Sequence, residues 1–380
     1  SCFLRVMQLS TSTLSSSSAA SDVYKIQTYG GSFAISTLTW GSAFEHYSAG
    51  NNYRSASFDR FLEKREVVAE RLRDRYGRYM PAGRVDLNSV DVLIPAFLAA
   101  YTGGDAGKIG LTPFPDRLSA MPNWDIAWNV TQLLPILRRN FKSLILTHKY
   151  LSQYRVGSFT SFTGWVPLEE GTDLGYVHDI VTGLPVPSSP YDISAVNLIE
   201  SFSPLIEARG VLENNMMLNF RINRTRSLNL NIASYQIVES SENDLLFGLG
   251  YRMPAFNRII GFGSNSMKSG RRPKNSSRYR TEQPFNGDGG QEFSNDLILR
   301  ADLSHKITEV LIRKIEDRFT QATSGLKSTA IRLSADYSLS QSVTLRAFFD
   351  KTIQLPLVSS SAYPTANTSA GMSLKFNLNQ

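Results

Sequence analysis

Apolar and polar residues alternate with a period of two through the second half of the chain. Between residues 215 and 252 the alternation comes in three short runs, which polar stretches at 224–227 and 239–243 separate. The first run reads Leu218, Asn219, Phe220, Arg221 and Ile222. Successive side chains of a strand point to opposite faces, so this pattern predicts strands with one apolar and one polar face. The polar stretches have the length of antiparallel hairpin turns and are too short for crossover helices.

The same alternation continues toward the C-terminal end. Further strands are predicted at about 142–156, 193–212, 295–304, 309–319, 328–337, 343–353 and 370–379. They add polar positions at Arg300, Asp302, Arg332, Asp336, Arg346 and Asp350, and apolar positions at Leu333, Leu345, Leu374 and Phe376. A turn near 339–341 brings Asp336 and Arg346 close together, so we expect an ion pair between these two side chains.

A helical period replaces the alternation in the first third of the chain. Helices are predicted at 57–76 and 89–101, each with a serine at its start and a glycine beyond its end, and a short third helix at 131–140. The second is apolar all round, so we expect it to be buried against protein. The predicted organisation is a flexible linker at 1–30, a strand at 31–42, a helical insertion at 43–140 and strands over 141–380.

Composition narrows the functional class. Charged residues make up 19% of the chain, below the roughly 25% of ordinary soluble proteins. No run of about 18 apolar residues occurs, which excludes a transmembrane helix but not barrel strands, since those need only about 9–11 alternating residues. The single cysteine, Cys2, excludes an internal disulfide and a cysteine-based zinc site. The net charge of +7 is weak evidence for nucleic acid, which we do not expect as a partner.

No catalytic or metal-binding constellation is present in the sequence. The four histidines lie far apart, and none has the spacing of a metal-ligand motif. His148 lies on an otherwise apolar strand face, where a satisfied structural histidine is the favoured interpretation. We therefore expect no enzyme, no metal and no cofactor.

The distribution of loop lengths favours a membrane barrel over a soluble antiparallel sandwich, which also alternates. With the last strand ending in the periplasm, the connections at 166–191, 253–294, 321–326 and 355–369 fall outside, and those at 213–214, 240–243, 305–308 and 338–342 fall inside. Short periplasmic turns and long extracellular loops are typical of outer-membrane barrels. The expected fold is an all-β membrane barrel with a periplasmic helical insertion that acts as a constriction, a plug or a docking platform.

One predicted loop carries a basic cluster, made of Arg271, Arg272, Lys274, Arg278 and Arg280. A solvated loop explains it, and so does a site for lipopolysaccharide headgroups or for a partner protein.

Several segments resemble the C-terminal part of the SprA/Sov family, the outer-membrane translocon of the type IX secretion system. They are 91–101, 191–194, 203–206, 227–231, 248–252 and 312–316, and the resemblance runs from about Thr39 to Gln380. It implies antiparallel strands that form part of one very large barrel, together with the rest of the same large polypeptide.

The resemblance also implies partners and an activity. Folded cargo with a C-terminal sorting domain would pass from the periplasm to the cell surface and leave through a lateral opening. A PorV-like shuttle barrel would bind at that opening, a periplasmic plug protein would close the idle pore, and outer-membrane lipid and lipopolysaccharide would surround the wall. An inner-membrane motor would supply the energy, in keeping with a sequence that has no nucleotide-binding motif.

Three functions therefore stay open: a protein-conducting outer-membrane channel, a porin or small-solute transporter barrel, and a soluble β-rich binding module or enzyme. In a wide barrel the lumen-facing candidates are Asn219, Arg221, Arg300, Asp302, Arg332, Asp336, Arg346 and Asp350. The lipid-facing candidates are Leu218, Phe220, Ile222, Leu333, Leu345, Leu374 and Phe376.

Overall fold

A computed structural model describes most of the chain. The described residues are 3–7, 30–45, 47–80, 85–116, 120–132, 135–168, 173–254, 256, 295–340, 342–358 and 363–377. They form mostly antiparallel β-sheet with a few helices, which confirms the predicted strand-rich class. The basic cluster of Arg271, Arg272, Lys274, Arg278 and Arg280 lies outside the described residues, as does most of the predicted linker.

Fifteen strands and three α-helices occur in the described ranges. The strands are β1 (Phe3–Met7), β2 (Gly30–Ser36), β3 (Asn123–Asn129), β4 (Phe141–Ser161), β5 (Val166–Pro167), β6 (Gly175–His178), β7 (Pro185–Pro187), β8 (Tyr191–Asp192), β9 (Ala195–Leu212), β10 (Met216–Asn231), β11 (Gln236–Met253), β12 (Leu297–Lys314), β13 (Phe319–Ser338), β14 (Val343–Pro356) and β15 (Thr365–Phe376). The helices are α1 (Trp40–Ala43), α2 (Ala56–Gly77) and α3 (Val90–Thr102).

One twelve-stranded sheet organises the molecule. Its neighbours run in the order β1, β3, β4 and then β9 to β15, with β2 and β8 also paired to β4, and every pairing is antiparallel. Strands β5–β7 form a separate small sheet. Among the described residues β1 and β15 each have one neighbour, so this part of the chain forms an open sheet rather than a closed barrel.

The helical insertion interrupts a single line of strand pairing. Strands β2 and β3 pair end to end along one edge of β4, opposite residues 153–160 and 145–150 respectively. The chain leaves this line after β2 and returns to it at β3. The insertion is therefore 37–122 rather than the predicted 43–140.

Two helix predictions are confirmed and a third is wrong. Helix α2 begins after Ser55, whose Oγ accepts a hydrogen bond from the Phe58 amide at 3.2 Å, two residues before the predicted cap. Helix α3 begins after Ser89, ends at the left-handed Gly103 and is buried from Asp91 to Tyr101. The predicted third helix consists of short 3-10 turns, Val130–Gln132 and Pro135–Arg139.

The boundaries predicted at both ends of the chain also change. The first predicted strand stops at Ser36, because Trp40 already belongs to α1. Residues 3–7 of the predicted linker form strand β1, which pairs with β3.

The three short runs at 215–252 are two long strands. Strands β10 and β11 pair without interruption through the turns predicted at 224–227 and 239–243. The connecting turn is at 232–235 and contains neither glycine nor proline, which is why the sequence did not reveal it. Strands β12 and β13 likewise run through the predicted turns at 305–308 and 321–326. The turns at 213–215, 232–235 and 315–318 each end in a left-handed residue, namely Asn215, Tyr235 and Arg318.

The corrected turns change the placement of the loops. We call the end of the sheet where β9, β11, β13 and β15 finish the lower end, and the opposite end the upper end. The lower end carries the connections 213–215, 254–296 and 339–342, and the upper end carries 162–194, 232–235, 315–318 and 357–364. The two longest connections leave from opposite ends, so the predicted segregation of 166–191, 253–294 and 355–369 to one side is wrong.

The insertion packs on one face of the upper half of the sheet. Helices α2 and α3 share one core with buried residues of five strands. The sheet residues in this core include Tyr154, Val156, Val196, Leu198, Leu228, Leu230 and Ile237. The small sheet is held against the same unit, because the Tyr76 hydroxyl donates a hydrogen bond to the Gly175 carbonyl at 3.0 Å.

Close packing at Gly175 predicts that this position tolerates no side chain. A Cβ there would overlap the Trp165 ring and lie 2.5 Å from the Val166 carbonyl oxygen. We expect Gly175→Ala to lower the free energy of unfolding by about 1–3 kcal/mol in a denaturant titration. The control Gly157→Ala, whose Cβ meets nothing within 4 Å, should leave it nearly unchanged. Equal effects of the two substitutions would contradict the packing described.

Candidate functional site

The strand registers divide the sequence-selected residues between the two faces of the sheet. Directly opposed residues of an antiparallel pair share a face. One row across β10–β15 runs Leu218, Leu249, Ala301, Leu333, Phe349 and Ala370. This apolar face holds all seven apolar candidates, Leu218, Phe220, Ile222, Leu333, Leu345, Leu374 and Phe376. The opposite, polar face holds Asn219, Arg221, Arg300, Asp302, Arg332, Asp336, Arg346 and Asp350.

The lower half of the apolar face is bare, and we call it the bare band. Its exposed side chains include Phe247, Leu303, Leu333, Phe349, Met372, Leu374 and Phe376, of which Met372 is 79% exposed. Strands rise about 3.4 Å per residue, so four to five rows on one face make a band that extends roughly 25 Å along the strands. An apolar surface that crosses six strands is larger than the patches that soluble monomers ordinarily expose.

The upper boundary of the bare band runs obliquely across the strands. Going up each strand, the first polar residue is Arg224 in β10, Asn243 in β11, His305 in β12, Thr329 in β13, Lys351 in β14 and Thr368 in β15. They form three directly opposed pairs: Arg224 with Asn243, His305 with Thr329, and Lys351 with Thr368. Each pair lies one row nearer the lower end than the pair before it. The boundary therefore shifts by one residue, about 3.4 Å, for each strand, and neighbouring strands are about 4.8 Å apart. It is inclined by roughly 35° to a line drawn perpendicular to the strands.

The polar face carries cross-strand ion pairs. Arg346 Nε lies 3.6 Å from Asp336 Oδ1 in a directly opposed pair, which confirms the predicted interaction. Arg221 Nε donates to Glu207 Oε1 at 2.9 Å. The glycines of the 247–250 segment open a depression of about 380 Å³ on this face, next to Arg300. The arrangement presents charged groups to water.

Four charged residues are buried on the apolar face beneath the insertion, and we call them the ionic cluster: Glu200, Arg226, Glu239 and Arg313. They come from four successive strands, β9–β12. Arg226 Nη2 lies 3.1 Å from Glu200 Oε2, and Arg313 Nη2 lies 2.8 Å from Glu239 Oε2. Arg226 Nη1 is also 4.0 Å from Glu239 Oε1, so the four charges form a continuous chain.

The first residues of the insertion supply donors to the two carboxylates. Thr39 Oγ1 donates to Glu200 Oε1 at 2.5 Å, and the Tyr47 hydroxyl donates to Glu239 Oε1. Burial, followed by the nearby Glu239 carboxylate, raises the pKa of Tyr47 well above its ordinary value. The phenol therefore stays protonated and remains a donor.

The same segment supplies acceptors to the two guanidinium groups. Arg226 donates to the Ser42 carbonyl at 2.6 Å and to the Ser42 hydroxyl at 2.8 Å. Arg313 Nη1 donates to the Tyr53 carbonyl at 2.7 Å. Residues 39–53 thus bond to all four members of the cluster, which joins the insertion to the sheet.

Sequence reasoning missed this cluster because it placed Arg226 and Glu239 in turns. Both interrupt an apolar alternation, as turn residues do. One signal was available: a hairpin centred on 232–235 sets these opposite charges one row apart on the same face.

Other candidate chemistry has structural explanations. His148 Nδ1 lies 2.6 Å from the Leu205 carbonyl oxygen, in agreement with a satisfied structural histidine. Within the described ranges no group of three or more His, Cys, Asp or Glu residues is placed to hold a metal ion. No helix in the described part of the chain is long and apolar enough to cross a bilayer.

The sequence matches no protein-family model, and no curated protein is significantly similar to it.

The ionic cluster predicts that replacing Glu239 lowers the free energy of unfolding much more than replacing the neighbouring Glu242. Glu239→Ala leaves buried Arg226 and Arg313 without their shared carboxylate, and we expect a loss of about 3–5 kcal/mol in the free energy of unfolding. Glu242 pairs with Lys306 at 2.8 Å on the surface, and its replacement by Ala should cost no more than about 1 kcal/mol. Denaturant titrations of both variants measure this, and similar losses would contradict the proposed role of the cluster.

The buried carboxyl group of Asp91 predicts that the free energy of unfolding depends on pH. Burial raises the pKa of this carboxyl to about 7, against the opposing hydrogen bond with Ser189 and with a smaller contribution from Asp173. The folded state therefore holds a proton that the unfolded state loses near pH 3.9. Stability contributed by the protonated form is fully present below that value and declines as pH rises to about 7. The slope approaches about 1.4 kcal/mol per pH unit.

The variant Asp91→Asn keeps the side-chain size and removes the titration. We expect unfolding measured between pH 4 and pH 7 (an interval set by the two pKa values) to lose most of this slope in the variant. An unchanged slope would show that Asp91 is not the titrating group.

Proposed function

We propose that this chain is a wall segment of a large outer-membrane β-barrel whose polar face lines a protein-conducting channel. The oblique bare band is the observation that carries the proposal. A length of roughly 25 Å along strands tilted by about 35° corresponds to a height of about 20 Å, which is close to the apolar belt of about 25 Å in outer-membrane barrels. Barrel strands tilt by about 35–45° from the barrel axis, and a belt perpendicular to that axis crosses them obliquely, as the bare band does.

The open sheet supports a barrel that extends beyond these strands. One edge of β15 has no strand partner among the described residues, over twelve residues. A row of unpaired backbone groups is unstable in a lipid environment, so closure would require further strands. The proposed remainder of the same polypeptide would supply them.

The polar face supports a wide lumen rather than a sealed interior. Its ion pairs and exposed arginines are compatible with water-filled space. Protein cargo, a PorV-like shuttle barrel and a periplasmic plug protein are the occupants that the SprA/Sov resemblance adds to this proposal. A porin or small-solute transporter remains the second candidate, because the same wall would serve both.

The insertion takes a different place from the one predicted. It covers the same face as the bare band, so in a membrane barrel it would lie on the outside of the wall rather than in the lumen. The insertion would then lie beyond the membrane at the upper end of the wall, opposite the end that carries the connections 213–215, 254–296 and 339–342. The predicted plug or constriction within the pore is therefore not part of the proposal.

Adjacent residues on opposite faces test the membrane wall. In intact outer membranes, a cysteine at Arg332→Cys should react with a water-soluble thiol reagent, and a cysteine at Leu333→Cys should stay protected by lipid. Both substitutions would be made in the full polypeptide with Cys2 replaced by serine. Reaction at both positions without detergent would reject the membrane wall.

Crosslinking tests the cargo. A photoreactive amino acid at position 332 should capture secreted proteins during export, and the same residue at position 333 should not. Absence of captured protein, combined with uptake of small solutes through the purified channel, would favour the porin instead.

A further inference from the structure

An aromatic cluster lies where the covered half of the apolar face ends. Helix α1 packs on β4 and β9, with Ala43 buried against Tyr150 and Phe202. Trp40 stacks on Trp124 with ring centroids 5.7 Å apart and meets Phe202 edge-on, also at 5.7 Å. We call Trp40, Phe44, Trp124, Tyr150 and Phe202 the aromatic collar.

Two members of the collar remain largely exposed although their rings contact other rings of the cluster. Trp40 is 44% exposed and Phe44 is 45% exposed, although the Phe44 ring lies 5.2 Å from that of Phe202. Below them on the sheet the bare band begins, and above them the insertion covers the same face. The collar therefore borders the band on its upper side. An aromatic ring at such a boundary contacts an apolar surface on one side and polar groups on the other.

Cations line the same boundary. Arg224 Cζ lies 5.2 Å from the Phe44 ring centroid. Lys351 lies at the oblique edge of the band, and Lys327 lies one row above the edge residue Thr329. None of the three has an ion pair within the described part of the chain, and the first polar residues of β10–β15 include no carboxylate. Long basic side chains at such an edge keep their apolar stems on the band while the charge reaches polar groups.

We propose that the collar and Arg224 form an interfacial anchor that binds the phosphate-bearing headgroup layer of the bilayer. Tryptophan at the edge of an apolar belt and cations directly beyond it suit the headgroup level, where rings meet both environments and cations meet anionic phosphates. The anchor belongs to the insertion through α1, so it fixes the height of the insertion above the membrane. This inference rests on the proposed membrane wall.

Three labelled positions separate the anchor from the wall itself. Gly41 lies in α1 between the two exposed aromatics, and a Cβ there meets nothing within 4 Å, so Gly41→Cys carries a fluorophore without disturbing the collar. Met372→Cys reports the bare band. Gly164→Cys, whose Cβ is equally unobstructed, reports the upper end beyond the covered half.

The full polypeptide would be reconstituted in phosphatidylcholine vesicles brominated either near the glycerol or near the methyl end of the acyl chains. We expect label fluorescence at position 372 to be quenched by deep bromine, at 41 by shallow bromine, and at 164 by neither. Quenching at 372 with position 41 as unaffected as 164 would overturn the anchor and leave the wall standing. No quenching at 372 would overturn the wall and the anchor together.

Two further variants test the roles of the side chains. The pair Trp40→Ser and Phe44→Ser should reduce the quenching at position 41 and leave that at 372 unchanged. Adding anionic phosphatidylglycerol should increase the shallow quenching, and Arg224→Gln should abolish this increase. The control Arg300→Gln, an exposed arginine on the polar face, should retain it; loss in both variants, or in neither, would reject the role of Arg224.

Discussion

The structure depends on a chain of four buried charges shared between the insertion and the sheet. Glu200, Arg226, Glu239 and Arg313 lie on four adjacent strands and bond to residues 39–53. Charges taken out of water are costly unless their partners are complete. The sheet in this region therefore needs the insertion for its own stability. Because residues 39–53 bring donors and acceptors to all four members, the cluster also specifies where the insertion docks.

The cluster lies in the covered half of a sheet face whose other half is exposed. In its upper half the apolar rows form a core with helices α2 and α3, and in its lower half similar rows are bare. A strand of 16 to 20 residues, as in β10 and β13, is roughly twice as long as the 9–11 residues that cross a bilayer. The strands thus have length enough for both halves, and a basic and aromatic edge lies between the covered half and the bare half.

The polar face follows from the same geometry. Since side chains alternate, every apolar row has a polar row behind it, and the registers align Asp302, Arg332 and Asp350 directly across three strands. The open edge of β15 means that this surface continues only if other strands pair with it. The proposed lumen and its proposed cargo would therefore be properties of an assembly larger than the described sheet.

Local periodicity was enough to predict the strand-rich class, the two helices, the grouping of the apolar and the polar strand candidates on opposite faces and the ion pair of Asp336 with Arg346. These features depend on period and on near neighbours, which are written in the sequence. The turns at 224–227 and 239–243 were wrong because a charge buried by a distant segment looks locally like a charge in a turn. Only the tertiary structure could show that residues 39–53 return to satisfy Arg226 and Glu239. It therefore decided the strand lengths, the ends from which the loops leave and the face that the insertion covers.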